Sequence, residues 1–141
     1  MKNLTMKMMV AAAALVVAGG VASAQVMTAE IPFRFQAAGA WLEPGTYSIN
    51  HISGSSATTI YRIANLNTAG VVAAVPRFTI DGNSGNAPQG KLTFECVAGR
   101  CTLVQLWDGS RGVTYSFSRP KRSREEAALA SVISIRMERG E

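Results

Sequence analysis

From residue 30 onward, apolar and polar side chains mostly alternate, the pattern of strands with one buried face. Glu30-Ile31-Pro32-Phe33-Arg34-Phe35 places Ile31, Phe33 and Phe35 together, and Pro32 moves the segment toward a sheet edge or a strand start. Trp41-Leu42-Glu43-Pro44-Gly45 carries a Pro-Gly signal that predicts a type II turn with Gly45 at positive φ. Thr46 to Ile52 alternates again and stops at Ser53-Gly54-Ser55-Ser56. Further strands are predicted over Thr58 to Ile63, Gly70 to Val75, Arg77 to Ile80, Lys91 to Cys96, Cys101 to Trp107 and Gly112 to Ser118. Evenly spaced short strands with glycine-rich turns predict an all-β fold, a small antiparallel sandwich or barrel of about seven to nine strands.

Two stretches interrupt the alternation. Residues 81–90, DGNSGNAPQG, are turn formers without an apolar anchor and predict a mobile surface loop. A calcium loop is disfavoured there, because the stretch has one carboxylate and no acidic closing residue. Farther on, Ser123 with Glu126 three residues later forms a capping-box pattern, and the alanine-rich sequence after it predicts a short C-terminal helix over residues 123–131. Residues 131–137, SVISIRM, fit a helical stripe or a strand face. Their β-branched residues favour a last strand.

The N-terminus changes the chemical setting. Lys2 and Lys7 precede an apolar run from Met8 to Ala18, and Ala22-Ser23-Ala24 is a small-x-small cleavage pattern. The run is shorter than the roughly 20 residues of a membrane-spanning helix. The expectation is a signal peptide at residues 1–24, cleaved after Ala24. A single domain of residues 25–141 would then act in the periplasm or outside the cell, with no transmembrane segment. No cysteine follows the run to take a lipid anchor.

Export places Cys96 and Cys101 in an oxidising compartment, where paired thiols form disulfides. The strands on either side predict a hairpin whose loop, Val97 to Arg100, this bond closes. A metal site would need further ligands, and the chain has a single histidine, His51, without a Cys or His cluster around it. A redox pair would more commonly have a two-residue spacer opening a helix. Neither a cofactor nor a metal is expected.

Taken together, Ile31-Pro32-Phe33-Arg34-Phe35, Leu42 through Ile49, Lys91-Leu92-Thr93-Phe94 leading to Leu106-Trp107, and Pro120-Lys121-Arg122-Ser123-Arg124-Glu125 resemble a family of small secreted bacterial β-rich proteins of unknown function. The resemblance spans most of the chain after the leader and departs from the family pattern at Glu43 and Arg119. It implies secretion and β structure and carries no activity, cofactor or catalytic residue.

The inventory of reactive groups is thin. His51 shares a strand face with Tyr47 and Ile49, Asp108-Gly109 reads as a hairpin turn, and Glu125 and Glu126 sit beside Arg122 and Arg124 as solvated helix pairs. No catalytic residue is assigned, and an envelope hydrolase ranks behind two other functions.

Binding has more support. Loss of Lys2 and Lys7 with the leader lowers the net charge from +5 to +3, and Arg119, Lys121, Arg122 and Arg124 form a run of bases at the helix start. Such a run suits an anionic envelope polymer or lipid head groups, or else it is a solvated basic turn. Nucleic acid is a poor partner for an exported chain without a basic stripe interleaved with aromatics. The expected function is an exported, non-catalytic binding or interaction module. The alternative is a barrel carrier whose aromatics, Phe33, Phe35, Trp41, Tyr47, Phe94, Trp107, Tyr115 and Phe117, surround a small apolar ligand instead of filling a core.

Overall fold

The computed structural model describes residues 26–53, 58–81 and 89–139. The expected signal peptide and most of the 81–90 loop lie outside these residues. Twelve strands and one helix are present among them: β1 (Met27–Ile31), β2 (Phe35–Ala37), β3 (Ala40–Leu42), β4 (Gly45–Ser53), β5 (Thr59–Asn65), β6 (Val71–Ala74), β7 (Phe78–Asp81), β8 (Gly90–Val97), β9 (Arg100–Asp108), β10 (Val113–Ser116), α1 (Arg124–Ala128), β11 (Ser131–Arg136) and β12 (Glu138–Arg139).

The strands form two sheets, β12-β1-β4-β5-β6 and β11-β8-β9-β10-β7, with the β2–β3 hairpin attached to the second through β9. Short links carry the chain from one sheet to the other at both lateral edges, β6 to β7 on one side and β11 to β12 on the other. The sheets do not close on each other, so the architecture is a sandwich and not a barrel. The strand count exceeds the predicted seven to nine. Pro32-Phe33-Arg34 breaks the first predicted strand in two, and β2 with β3 forms a small hairpin at Trp41. β2 also pairs with β9 in parallel, the exception in an otherwise antiparallel fold.

A band of aromatic rings joins the sheets. Phe35 lies edge-on to Tyr47 at 5.2 Å and to Phe94 at 5.3 Å, and Phe33 meets Phe94 at 5.0 Å. Phe35, Tyr47 and Phe94 are fully buried. Of the rings expected either to fill a core or to surround a ligand, Phe33, Phe35, Tyr47 and Phe94 pack against each other, while Trp41 stands exposed.

β9 changes neighbours midway. Its first residues pair with β2 and its last four with β10, and a bulge opposite Thr93/Phe94 leaves Val104 between the two registers. A bulge bends a strand and adds twist. A notch of about 310 Å³ opens nearby, lined in part by Ala37, Ala74, Leu103 and Phe117.

Two glycines are dictated by close approach. Gly45 has the predicted positive φ, 159°, though not the value of a type II turn, and a Cβ there would stand 2.9 Å from Asn65 Nδ2. At Gly90, which opens β8, a Cβ would meet the Trp107 carbonyl at 2.7 Å.

The Cys96–Cys101 disulfide is formed, with the two Cα atoms 4.0 Å apart. The loop it closes is tighter than expected: Val97 pairs with Arg100, leaving Ala98 and Gly99 as a two-residue turn with φ of 50° and 78°. Two positive φ angles define a type I′ turn, whose twist matches the flanking strands. Replacing both cysteines with alanine should lower stability by about 1–3 kcal/mol and leave the fold intact, since so short a loop restricts the unfolded chain only modestly. Urea melts under native conditions check this. Ala98 pays for its left-handed backbone, a cost that asparagine largely avoids, so Ala98→Asn should raise stability by about 0.5–1 kcal/mol in the same assay.

The helix is shorter than predicted, five residues preceded by Ser123. The Ser123 hydroxyl accepts from the Glu126 amide at 3.1 Å and donates to Glu126 Oε1 at 3.3 Å, so the glutamate returns to the hydroxyl instead of the Ser123 amide. Residues 131–136 form strand β11, paired along its length with β8.

Candidate functional site

Because β10 and β11 lie on opposite sides of β8 and β9, the segment between them crosses the outer face of the second sheet as a strap. This strap carries the predicted basic run. Its four bases do not form one free face. Arg119 donates to Glu95 Oε2 at 2.9 Å, and Arg122 Nε lies 3.1 Å from Glu95 Oε1 in an ion pair without hydrogen-bond alignment. The Arg122 side chain is only 11% exposed, so its charge is held against the sheet. Lys121 and Arg124 remain exposed and have no ion-pair partner among the described residues. Glu95, on β8, thus acts as a clamp that two strap arginines share. Nothing local in the sequence marks that role.

Register explains what surrounds the clamp. Val132 of β11, Glu95 of β8, Thr102 of β9, Gln36 of β2 and Trp41 of β3 are successive cross-strand partners and form one row across the sheet. Paired residues share a face. Beside this row, between strap, disulfide hairpin and β2–β3 hairpin, runs a groove of about 480 Å³ lined by Gln36, Trp41, Arg100, Thr102, Lys121 and Arg122 among others. Trp41 keeps 41% of its surface exposed. The Arg34 guanidinium lies over one face of its ring at 4.9 Å and pairs with Glu43 at 3.2 Å, both side chains being more than half exposed. Arg100 projects from the hairpin tip, exposed and without an ion-pair partner among the described residues. Glu126 is the acidic group in the lining, and it is engaged by Ser123. The groove therefore joins an exposed aromatic ring to Gln36 and Thr102, to the cations, to the Glu126 carboxylate and to a small apolar patch of Val97, Ala98 and Pro120.

A second polar cluster lies where the sheets meet. Asp108, 2% exposed, accepts from the Tyr61 hydroxyl at 2.6 Å, from the Ser110 hydroxyl at 2.6 Å, and from the amides of Ser110 and Arg111 at 3.0 and 3.3 Å. The predicted hairpin turn is there, with the Gly112 amide donating to the Asp108 carbonyl at 2.8 Å. Its side chain also reaches the opposite sheet. Burial by itself raises the Asp108 pKa, but the hydrogen bonds from Ser110, Tyr61 and the two amides outweigh it and hold the carboxyl below its usual range. Burial and the Asp108 hydrogen bond push the Tyr61 phenol far above its ordinary value.

His51 borders this cluster, its ring 5.4 Å from Tyr61 and its Nδ1 3.0 Å from an Arg111 guanidinium nitrogen. A guanidinium only donates, so Nδ1 accepts and the imidazole is neutral with its proton on Nε2. Burial and then Arg111 depress the His51 pKa, against an opposing pull from Asp108. The nitrogen a catalytic base would use is occupied by Arg111, and the carboxylate beside it is saturated. The cluster braces the β9–β10 turn against β5.

Among the described residues no group of three or more His, Cys, Asp or Glu side chains gathers to hold a metal, and no helix is long and apolar enough to cross a membrane. Comparison with protein-family models, curated proteins and solved structures finds no match to this chain. The class that its fold and site define is a disulfide-stapled β-sandwich with a clamped strap and a groove on one outer face.

Proposed function

We propose that this protein is exported and acts as a binding module for an anionic component of the cell envelope or its surroundings, engaging it through the outer face of the second sheet. The observation that carries this reading is the groove: Arg100 and Lys121 border it without ion-pair partners among the described residues, while Arg119 and Arg122 are already committed to Glu95. The expected signal peptide and the resemblance to secreted β-rich proteins agree with it. Association with an envelope fraction should weaken steadily with salt, because exposed charges are screened over about 8 Å at 0.15 M ionic strength. The double reversal Arg100→Glu/Lys121→Glu should remove it, and Lys91→Glu, outside the groove, should not. Sedimentation with envelope membranes and polymer measures both, and association indifferent to salt and to the reversal would defeat the reading.

A second reading, carriage of a small apolar ligand, draws on the notch lined by Ala37, Ala74, Leu103 and Phe117. It predicts that an environment-sensitive apolar dye is bound and that Ala74→Phe, which fills the notch, displaces it. The charge reversals above would leave dye binding unchanged.

A further inference from the structure

We infer that the groove takes an acidic polysaccharide, with one sugar ring laid on Trp41 and its carboxylates met by Arg100 and Lys121. The inference rests on the binding-module reading and narrows its ligand. Cations alone would serve any polyanion, a phospholipid surface included. What distinguishes this groove is the pairing of those cations with an exposed indole and with Gln36 and Thr102, an amide and a hydroxyl in register with it.

A pyranose has the matching chemistry. Its axial C–H bonds form an apolar face suited to an aromatic ring, and its hydroxyls both donate and accept at the edge. A uronic acid adds a carboxylate, for which a guanidinium offers paired donors and an ammonium a point charge. Cost also favours this choice. Arg122 is held against the sheet by Glu95, so that side of the groove is ordered before ligand arrives. Val97, Ala98 and Pro120 also line the groove, and Leu129 and Val132 stand exposed on the same face, so phospholipid is the competing occupant that the vesicle arm of the test separates.

The test uses the intact disulfide-bonded protein and three probes: short oligogalacturonate, the neutral cello-oligosaccharide of similar length, and vesicles containing phosphatidylglycerol. Calorimetry and tryptophan fluorescence read binding. Oligogalacturonate should bind and perturb the fluorescence, and the neutral sugar should bind far more weakly. Trp41→Ala should reduce oligogalacturonate affinity at least about 30-fold, the scale of losing an aromatic hot spot, and Trp41→Phe should retain part of it. Thermal melts should show the folded state kept in both variants, since the ring is exposed; a variant that melts early is replaced by Gln36→Ala, for which reduced affinity is again expected.

Failure separates cleanly from failure of the broader reading. If Trp41→Ala binds oligogalacturonate as the parent does while Arg100→Glu/Lys121→Glu abolishes binding, charge alone holds the ligand. The saccharide inference then falls and the binding module stands. Binding to the vesicles with none to oligogalacturonate has the same consequence. If the charge reversal changes nothing with any probe, both readings fall.

Discussion

Asp108→Ala should destabilise the protein by about 3–5 kcal/mol, because it removes one buried charged acceptor and strands several donors at once. The Tyr61 hydroxyl, the Ser110 hydroxyl and the amides of Ser110 and Arg111 all lose their partner. Asp108→Asn, which keeps the shape and one carbonyl acceptor, should cost less, and Tyr61→Phe about 1.5–3 kcal/mol, the scale of a hydrogen bond to a charged group. The two sites share a bond, so Tyr61→Phe should cost clearly less in the Asp108→Ala background than alone. Urea denaturation of the four proteins completes the cycle, and additive effects would mean that the 2.6 Å contact contributes nothing.

The same cluster sets the dependence on pH. Asp108 has a depressed pKa in the folded state, so its contribution is present above the ordinary carboxylate range and is lost as pH falls through the folded value. His51 is also depressed: its contribution is full above the usual imidazole pKa of about 6.5 and fades as pH drops below it. Tyr61 is raised, and its contribution is present below the ordinary phenol value of about 10 and lost as pH rises above it. Stability should therefore plateau between these limits and decline in acid in two stages. His51→Gln should remove the first stage and Asp108→Asn should flatten the second.

Phe35→Ala should be comparably severe, at about 3–5 kcal/mol. Phe35 is fully buried and touches Tyr47 on one sheet and Phe94 on the other, so alanine opens a cavity in the seam that holds the sandwich together. Against a total stability of about 5–15 kcal/mol this leaves little margin, and the midpoint of thermal unfolding should drop by about 10–20 °C. Phe35→Leu keeps most of the volume and should cost about 1–1.5 kcal/mol. Equal melts for parent and Phe35→Ala would show that the ring band is not the joint between the sheets.

Most strands are legible in the sequence because period-two alternation is a local property, and a buried face imposes it within a few residues. Alternation places Pro32 at a strand start, whereas in the structure it ends β1, since a residue without an N–H cannot continue the ladder. Trp41 reads in the sequence as one more core aromatic. Composition does not say which face of a three-residue hairpin strand points outward, and only the pairing of Gln36 with Trp41 reveals it.

The basic run shows the same division. Four neighbouring cations read as one anion-binding face. Whether their charge is free depends on Glu95, on a strand 24 residues before Arg119, and the strap crosses that strand only because β11 docks beside β8. Asp108 is legible as a turn, since aspartate before glycine and serine folds back on its own backbone, but not as the partner of a tyrosine 47 residues away.

By itself the sequence determined what spacing within a few residues can specify: most of the longer strands, the cysteine pair at a hairpin, the serine cap and the short helix before a last paired strand, but not β12 or the β2–β3 hairpin. The tertiary structure alone decided which charges are neutralised, which aromatic ring meets solvent and where a groove opens. Those depend on sheet order and on register between distant strands. Alternation repeats alike in every strand, so it specifies a buried face without specifying the neighbour.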